Sequence, residues 1–495
     1  MRINVTVSVI LFVILSAYAS YAQGYYYSRT ATYPETTVVA PSMQGFIPVN
    51  REDVKAIGMG KTQVANGRTF NAMMYNPALL AKKKYSMEAF SFMASLPPQT
   101  YKAASFLKDN MKEFTEATSL KDVWAGVNEF QNAATLEDQL NAIRKIQKGL
   151  KFPHELLDKV VGTSANPTTH GLKLLPAITM QAGNLGVSLY GVAQSGFEMH
   201  QSPTVDALLD VYIPEDLNDP NQVAAAVNSL WLTLQSVMNG NNVDDAALPV
   251  AYSYSYMDIV GAVGYGMEVA RGLNVGMNLK IVHRRLSVKR IIANSFDTIL
   301  REALKDMQYY ITGFTFDLGA MYRFPFGTQV GLSMENIIPF RKITSTLEFP
   351  VVATYEEYDR DEFGNKIVNG QDTALVFVSR DVNVKFPFDL RIPFIMNFGI
   401  THPITSNWDV SLDIADMAEQ NTLYEKYFER FRAGTEYRWN AMNNLGIATR
   451  VGMADEHLTL GLGLNLFRVL QIDAAYAYDN YVADNTYYLQ LRLGW

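Results

Sequence analysis

The chain has 495 residues, 42 Lys and Arg against 49 Asp and Glu, a net charge of −7 and no cysteine. That balance excludes the basic stripes a nucleic-acid partner demands, and the missing thiols exclude disulfides and a lipoprotein anchor. A mean hydropathy of −0.03 is too polar for a bundle of membrane helices, yet it suits strands that are apolar on one face only.

At the start, Met1-Arg2 is followed by an apolar run from Val5 to Leu15, then by the small-x-small triplet Ser20-Tyr21-Ala22. This order predicts a secretory signal peptide over 1–22, cleaved near Ala22. The rest of the chain has no apolar run near the roughly 20 residues of a membrane helix. An exported chain without disulfides needs another source of stability, and a closed barrel leaves no strand edge unpaired.

Next comes a compact segment with glycine hinges at Gly58 and Gly60, running on through Asn71 to Asn76-Pro77-Ala78. Asn76 is placed to cap a short helix whose first residue is Pro77, where a missing N–H costs nothing. Residues 23–84 are expected to lie as one unit in or beneath the lumen of whatever the strands enclose.

Strands follow from residue 85 onward. Alternation of apolar and polar side chains, at lengths near the 9–11 residues of a tilted spanning strand, marks 85–94, 172–181, 184–195, 258–270, 272–285, 311–323 and 327–336. It continues through 390–401, 407–415, 429–439, 443–453, 457–467, 469–479 and 485–495. Fourteen strands is an even number, as antiparallel closure prefers. Connections after even strands are short, whereas 95–171, 196–257, 286–310 and 337–389 are long. Short inner turns and long outer loops are what an outer-membrane barrel requires. The long loops carry patterns of their own. Between Ala103 and Val161 apolar residues recur at helical spacing, another helix is expected over Asn221–Val237, and 345–386 reads as an extra hairpin.

Parity along these strands points Lys280, Asp317, Arg323, Arg432, Glu436, Arg438, Arg450, Asp473 and Arg492 inward. Both signs occur, so the lumen is expected to be either hydrated or filled by a paired network. In the last strand Tyr487, Leu489, Leu491, Leu493 and Trp495 share the apolar face, with an aromatic residue at its very end. This is the assembly signal expected of a barrel that meets lipid and is folded in by barrel-assembly machinery.

Chemical motifs are sparse. Gly58-Met59-Gly60-Lys61-Thr62 lacks the earlier glycine of a phosphate loop, because position 55 is Lys55. The six histidines are scattered without metal-ligand spacing. No catalytic residues, cofactor or metal are expected. The basic cluster His283-Arg284-Arg285 with Lys289-Arg290 could clamp lipid phosphates, or could be a solvated loop mouth.

The run Gly58-Met59-Gly60, Asn71-Ala72 and Asn76-Pro77-Ala78 resembles the N-terminal hatch of the FadL-like outer-membrane barrels. The second half resembles the TraF-like and PorV-like branch of that family through Trp408-Asp409-Val410-Ser411-Leu412-Asp413, Phe431-Arg432-Ala433-Gly434-Thr435-Glu436, Gly461-Leu462-Gly463 and Asp473-Ala474-Ala475-Tyr476. This resemblance implies an all-β, 14-stranded antiparallel transmembrane barrel over 85–495, with the hatch of residues 23–84 inside it. It implies a bacterial outer-membrane location and no enzymatic activity. Two functions compete under it: a hatch-gated passive channel for hydrophobic small molecules, and a shuttle that docks secreted proteins on its outer loops. A surface structural or adhesion role is a third.

Overall fold

A computed structural model describes residues 30–33, 36–39, 52–66, 72–82, 84–109, 125–126, 128–130, 132–163, 166–200, 209, 250–292, 309–339, 344–357, 376–389, 392–419, 427–442, 444–479 and 484–494. The signal-peptide expectation, Asn71, Trp495 and the helix over 221–237 lie outside these residues.

Fourteen strands form one antiparallel sheet that closes on itself. They are β1 (Lys84–Leu96), β2 (Asn166–Gly183), β3 (Leu185–His200), β4 (Val250–Ala270), β5 (Leu273–Ile292), β6 (Tyr309–Arg323) and β7 (Gln329–Glu335). Then follow β8 (Ile395–Pro403), β9 (Trp408–Ile414), β10 (Phe431–Met442), β11 (Leu445–Ala454), β12 (His457–Leu466), β13 (Leu470–Asp479) and β14 (Asp484–Gly494). Closure comes from β1, which pairs with β14 on one side and β2 on the other. The turns after even strands are short, and they gather at the end where β1 begins and β14 ends. The long connections leave from the opposite, outer end. Strands β4 and β5 run 21 and 20 residues, longer than the alternation suggested, because their ladder continues at the outer end to the pair Val250–Ile292.

Which side chains face out follows from strand parity. On β14, Leu489 is 57% exposed and Leu491 40%, while the intervening Gln490 is fully buried. The same division puts Leu458, Leu460 and Leu462 outside on β12, and Val263, Tyr265 and Met267 outside on β4. A band of large exposed apolar residues around a closed ladder is the surface of a barrel seated in lipid. Among the described residues no helix is long and apolar enough to cross a membrane. Introducing arginine at Leu489 should therefore cost ~2–4 kcal/mol if the site lies near the bilayer midplane. Loss of the heat-modifiable band in membrane fractions is the expected readout; normal insertion would reverse the assignment of that face.

Outside the membrane band, the connection after β1 folds into α-helices Pro98–Asp109 and Leu136–Val161. The second is capped by Thr135, whose Oγ1 accepts the Asp138 amide at 3.1 Å. Its buried face carries Leu140, Ile143 and Ile146, and Phe130 ahead of the helix is buried as well. The predicted extra hairpin is a pair of 14-residue strands, Thr344–Glu357 and Val376–Asp389. Residues 36–38 pair with Ala353–Tyr355 of that hairpin. The physical reason is the open edge of the hairpin, whose backbone groups attract any extended segment within reach.

Candidate functional site

The lumen is occupied by residues 52–66 and 72–82, which precede β1 in the chain. A first short helix, Val54–Gly58, starts at the N-cap Asp53, whose carboxylate accepts the Lys55 amide at 2.8 Å. The same carboxylate takes the Arg492 guanidinium of β14 at 2.7 Å, and Arg492 also holds Glu88 of β1 at 2.7 Å. The Val54 amide donates to Gln490 Oε1 at 3.0 Å. One buried arginine thus ties the inner segment to both strands that close the barrel.

Lys55 extends a second network. Its ammonium lies 3.2 Å from Glu436, which accepts from Arg450 at 2.7 Å, and Arg450 reaches Asp473 at 2.7 Å. Arg438 adds contacts to Glu436 at 2.5 Å and Asp409 at 2.6 Å. Burial lowers the pKa of Lys55 from its ordinary value, against the opposing pull of Glu436.

Beyond the helix the segment meets the wall backbone to backbone. Gly58 faces Gly461 so closely that a Cβ on Gly58 would stand 2.8 Å from the Gly461 Cα. Gly60 has φ +65°, a left-handed conformation that glycine adopts without strain. Its amide donates to Thr459 Oγ1 at 2.9 Å. Lys61 pairs with Asp455 at 2.5 Å in the outer turn between β11 and β12, so the segment spans the lumen from the inner rim to that turn. It returns past Asp413 of β9, whose Oδ2 accepts the amides of Gln63 at 2.7 Å and Val64 at 3.0 Å.

Asn76 joins three things. Its Oδ1 accepts the Ala78 amide at 3.1 Å, capping the 3₁₀ turn Pro77–Lys82. Its Nδ2 donates to Val64 O at 3.0 Å and to Ala320 O of β6 at 3.2 Å. The cap therefore links both halves of the inner segment to the wall. Asn278 of β5 donates to Met73 O at 2.7 Å, and Gln181 of β2 to Leu80 O at 3.2 Å. Pro77 and Ala78 lie over Gly276 and Gly319, wall positions where any side chain would strike them.

Of the inward charges read from parity, Lys280, Asp317, Glu436, Arg450, Asp473 and Arg492 are buried, with Arg438 half-buried beside them. Lys280 pairs with Asp317 at 2.7 Å. Arg432 stands across from Asp413 in the ladder, while Arg323 is exposed at the inner rim. The basic cluster separates by alternation: Arg284 points inward, bound to Asp258 at 2.8 Å, whereas Arg285 is exposed. The wall residues Glu88 and Asp413, and Asp53 of the inner segment, were not among the site residues read from the sequence, because their roles show only once the inner segment is placed against the wall.

Above this polar floor lies an apolar lining. Met93, Leu175, Tyr190, Val192, Tyr256 and Val260 are buried inward from β1 to β4, joined by Val282 of β5 and Tyr488 of β14. They pack on Val54, Ile57 and Met73 of the inner segment.

Comparison with known proteins adds the following. The family model described as F plasmid transfer operon, TraF, protein matches residues 73–362. No curated protein matches the chain. Among solved structures, the Pseudomonas putida toluene transporter TodX is similar at 10% identity and a TM-score of 0.42, covering 91% of this chain and 98% of TodX. The CymD monoaromatic hydrocarbon channel is similar at 12% identity and a TM-score of 0.39, covering 89% and 94%. A Pseudomonas aeruginosa FadL homologue shows 9% identity and a TM-score of 0.36, covering 91% and 98%.

Proposed function

This chain belongs to the F plasmid transfer operon TraF protein family, and we propose that it is an outer-membrane channel giving hydrophobic small molecules a passive route gated by residues 52–66 and 72–82. The observation that carries this reading is the apolar lining of the lumen. A barrel conducting ions or sugars keeps its inward positions polar, yet Leu175, Tyr190, Val192, Tyr256 and Val260 are inward, buried and apolar or aromatic. Apolar side chains facing a passage lower the cost of moving an apolar solute out of water along it. The inner segment acts as a hatch under this reading, because its hydrogen bonds to the wall close the lumen without sharing a strand ladder.

Uptake of a radiolabelled aromatic hydrocarbon by intact cells tests the route. Cells expressing the chain should accumulate it faster than cells without it; equal rates would refute the channel. Asn76→Ala tests the hatch. Removing the cap costs about 1 kcal/mol, enough to loosen the inner segment while the closed ladder persists. Raised single-channel conductance with near-normal melting is expected. Silent conductance with a collapsed melting temperature would make Asn76 a folding element instead.

Docking of secreted proteins is the second reading, favoured by one observation. The outer helix Leu136–Val161 buries Leu140, Ile143 and Ile146, more structure than a gate needs. Retention of a secreted protein's tail in a pull-down, lost on deletion of 98–161, would support it.

A further inference from the structure

We propose that the outer rim of the barrel carries, on its lipid-facing side, a binding site for the phosphate of an outer-leaflet lipid, built from Arg285, His283 and Thr312. The site is independent of what passes through the lumen. Alternation along β5 turns Met277, Leu279 and Ile281 outward, each at least half exposed, and the same row continues with His283 and Arg285. On β6 the facing row is Phe314, Thr312 and Tyr310, paired with Ile281, His283 and Arg285 in turn. The outward face therefore changes from hydrocarbon to polar groups between Ile281 and His283.

The depth of that change fits a headgroup. From Leu273 to Arg285 the strand climbs about 30 Å, at ~3.3 Å per residue and a tilt of ~40°. The apolar band of such a barrel is ~25 Å tall, so Arg285 stands at the level where lipid phosphates lie. Tyr322 at the inner end of this face and Tyr310 beside Arg285 are both exposed, as aromatic residues at the two interfaces are.

The three side chains are already arranged on one another. Arg285 Nε donates to His283 Nε2 at 3.0 Å. That bond leaves the imidazole proton on Nδ1, which donates to Thr312 Oγ1 at 2.6 Å. Among the described residues nothing else accepts from Arg285, so both terminal guanidinium nitrogens remain for a ligand. Arg284 is the contrast, because its Nε and Nη2 are both taken by Asp258 at 2.8 Å. A planar guanidinium held at Nε suits phosphate oxygens, and the acyl chains of the same lipid would lie along Ile281, Leu279 and Phe314. A phosphate-bearing lipid satisfies both halves of the site, which neither inorganic phosphate nor an uncharged lipid does.

The test places the full-length protein in detergent micelles holding equimolar dioleoyl phosphatidic acid and dioleoylglycerol, and measures retained lipid by native mass spectrometry. The parent should retain phosphatidic acid over dioleoylglycerol. Arg285→Gln should cut that retention about fivefold, the ratio for one interfacial cation. Thr312→Val keeps every charge but removes the group that orients His283, so it should cut retention about twofold. If Arg285→Gln yields no heat-modifiable barrel, Thr312→Val decides by itself. Equal retention of the two lipids by the parent, or unchanged retention in either folded variant, overturns the site. Displacement of phosphatidic acid by excess inorganic phosphate would make it a free-ion site and overturn the assignment to a lipid.

Discussion

Arg492→Ala is expected to destabilise the barrel by ~3–5 kcal/mol, the usual cost of removing one partner from a buried ion pair. The guanidinium is 1% exposed and holds Glu88, Asp53 and Gln471 at once. Truncation removes the guanidinium that pairs with two buried carboxylates, one on β1 beside the closing seam and one at the hatch N-cap. A large fall in the melting temperature of the detergent-solubilised barrel should follow, together with a weaker heat-modifiable band. Arg492→Lys keeps the charge but cannot reach both acids with a planar fork, so it should fall between alanine and the parent. Melting of Arg492→Ala at the parental temperature would show that the seam closes without this arginine.

Gly434→Val should have the opposite signature: an open hatch in an intact barrel. A Cβ on Gly434 would stand 2.6 Å from the Met59 carbonyl carbon and 3.0 Å from its Cα, all of it hatch backbone. Valine is otherwise welcome in a strand, where β-branched residues gain up to ~1 kcal/mol. The ladder therefore tolerates the change and the hatch must move. Conductance should rise and residues 53–66 should become sensitive to added protease, while barrel melting holds. Gly446→Val on the neighbouring strand is the control, since its nearest non-adjacent atom is 3.6 Å away. Equal, silent conductance in both variants would mean that the hatch does not press on the wall at Gly434.

These two variants mark where a sequence reading reaches and where it stops. Strand parity is local: side chains alternate along any extended backbone, so Leu489 out and Arg492 in could be read from the last ten residues. Strand number, the parity of loop lengths and the inward direction of Lys280, Asp317, Glu436, Arg450 and Asp473 follow from the same rule. The cap at Asn76 is also local, because Pro77 and the Ala78 amide lie within two residues of it. The separation of Arg284 from Arg285 is likewise a matter of alternation, though a basic run catches the eye before its period does.

What pairs with what was decided only by the tertiary structure. Arg492 meets Asp53 across 439 positions of chain, and Gly60 meets Thr459 across 399. No spacing rule reaches so far, because barrel closure and hatch docking bring these residues together, and both depend on every strand register between them. The wall glycines show the same limit. Gly434 and Gly461 read along their strands as small inward residues, but the need for glycine there arises from hatch backbone seated directly on the sheet. The pairing of residues 36–38 with the outer hairpin is a further case, since an exposed strand edge accepts any suitable segment and proximity alone selects which one. Sequence by itself determined the faces of the strands and their order; the closed barrel determined their partners, because it sets which distant faces share the lumen.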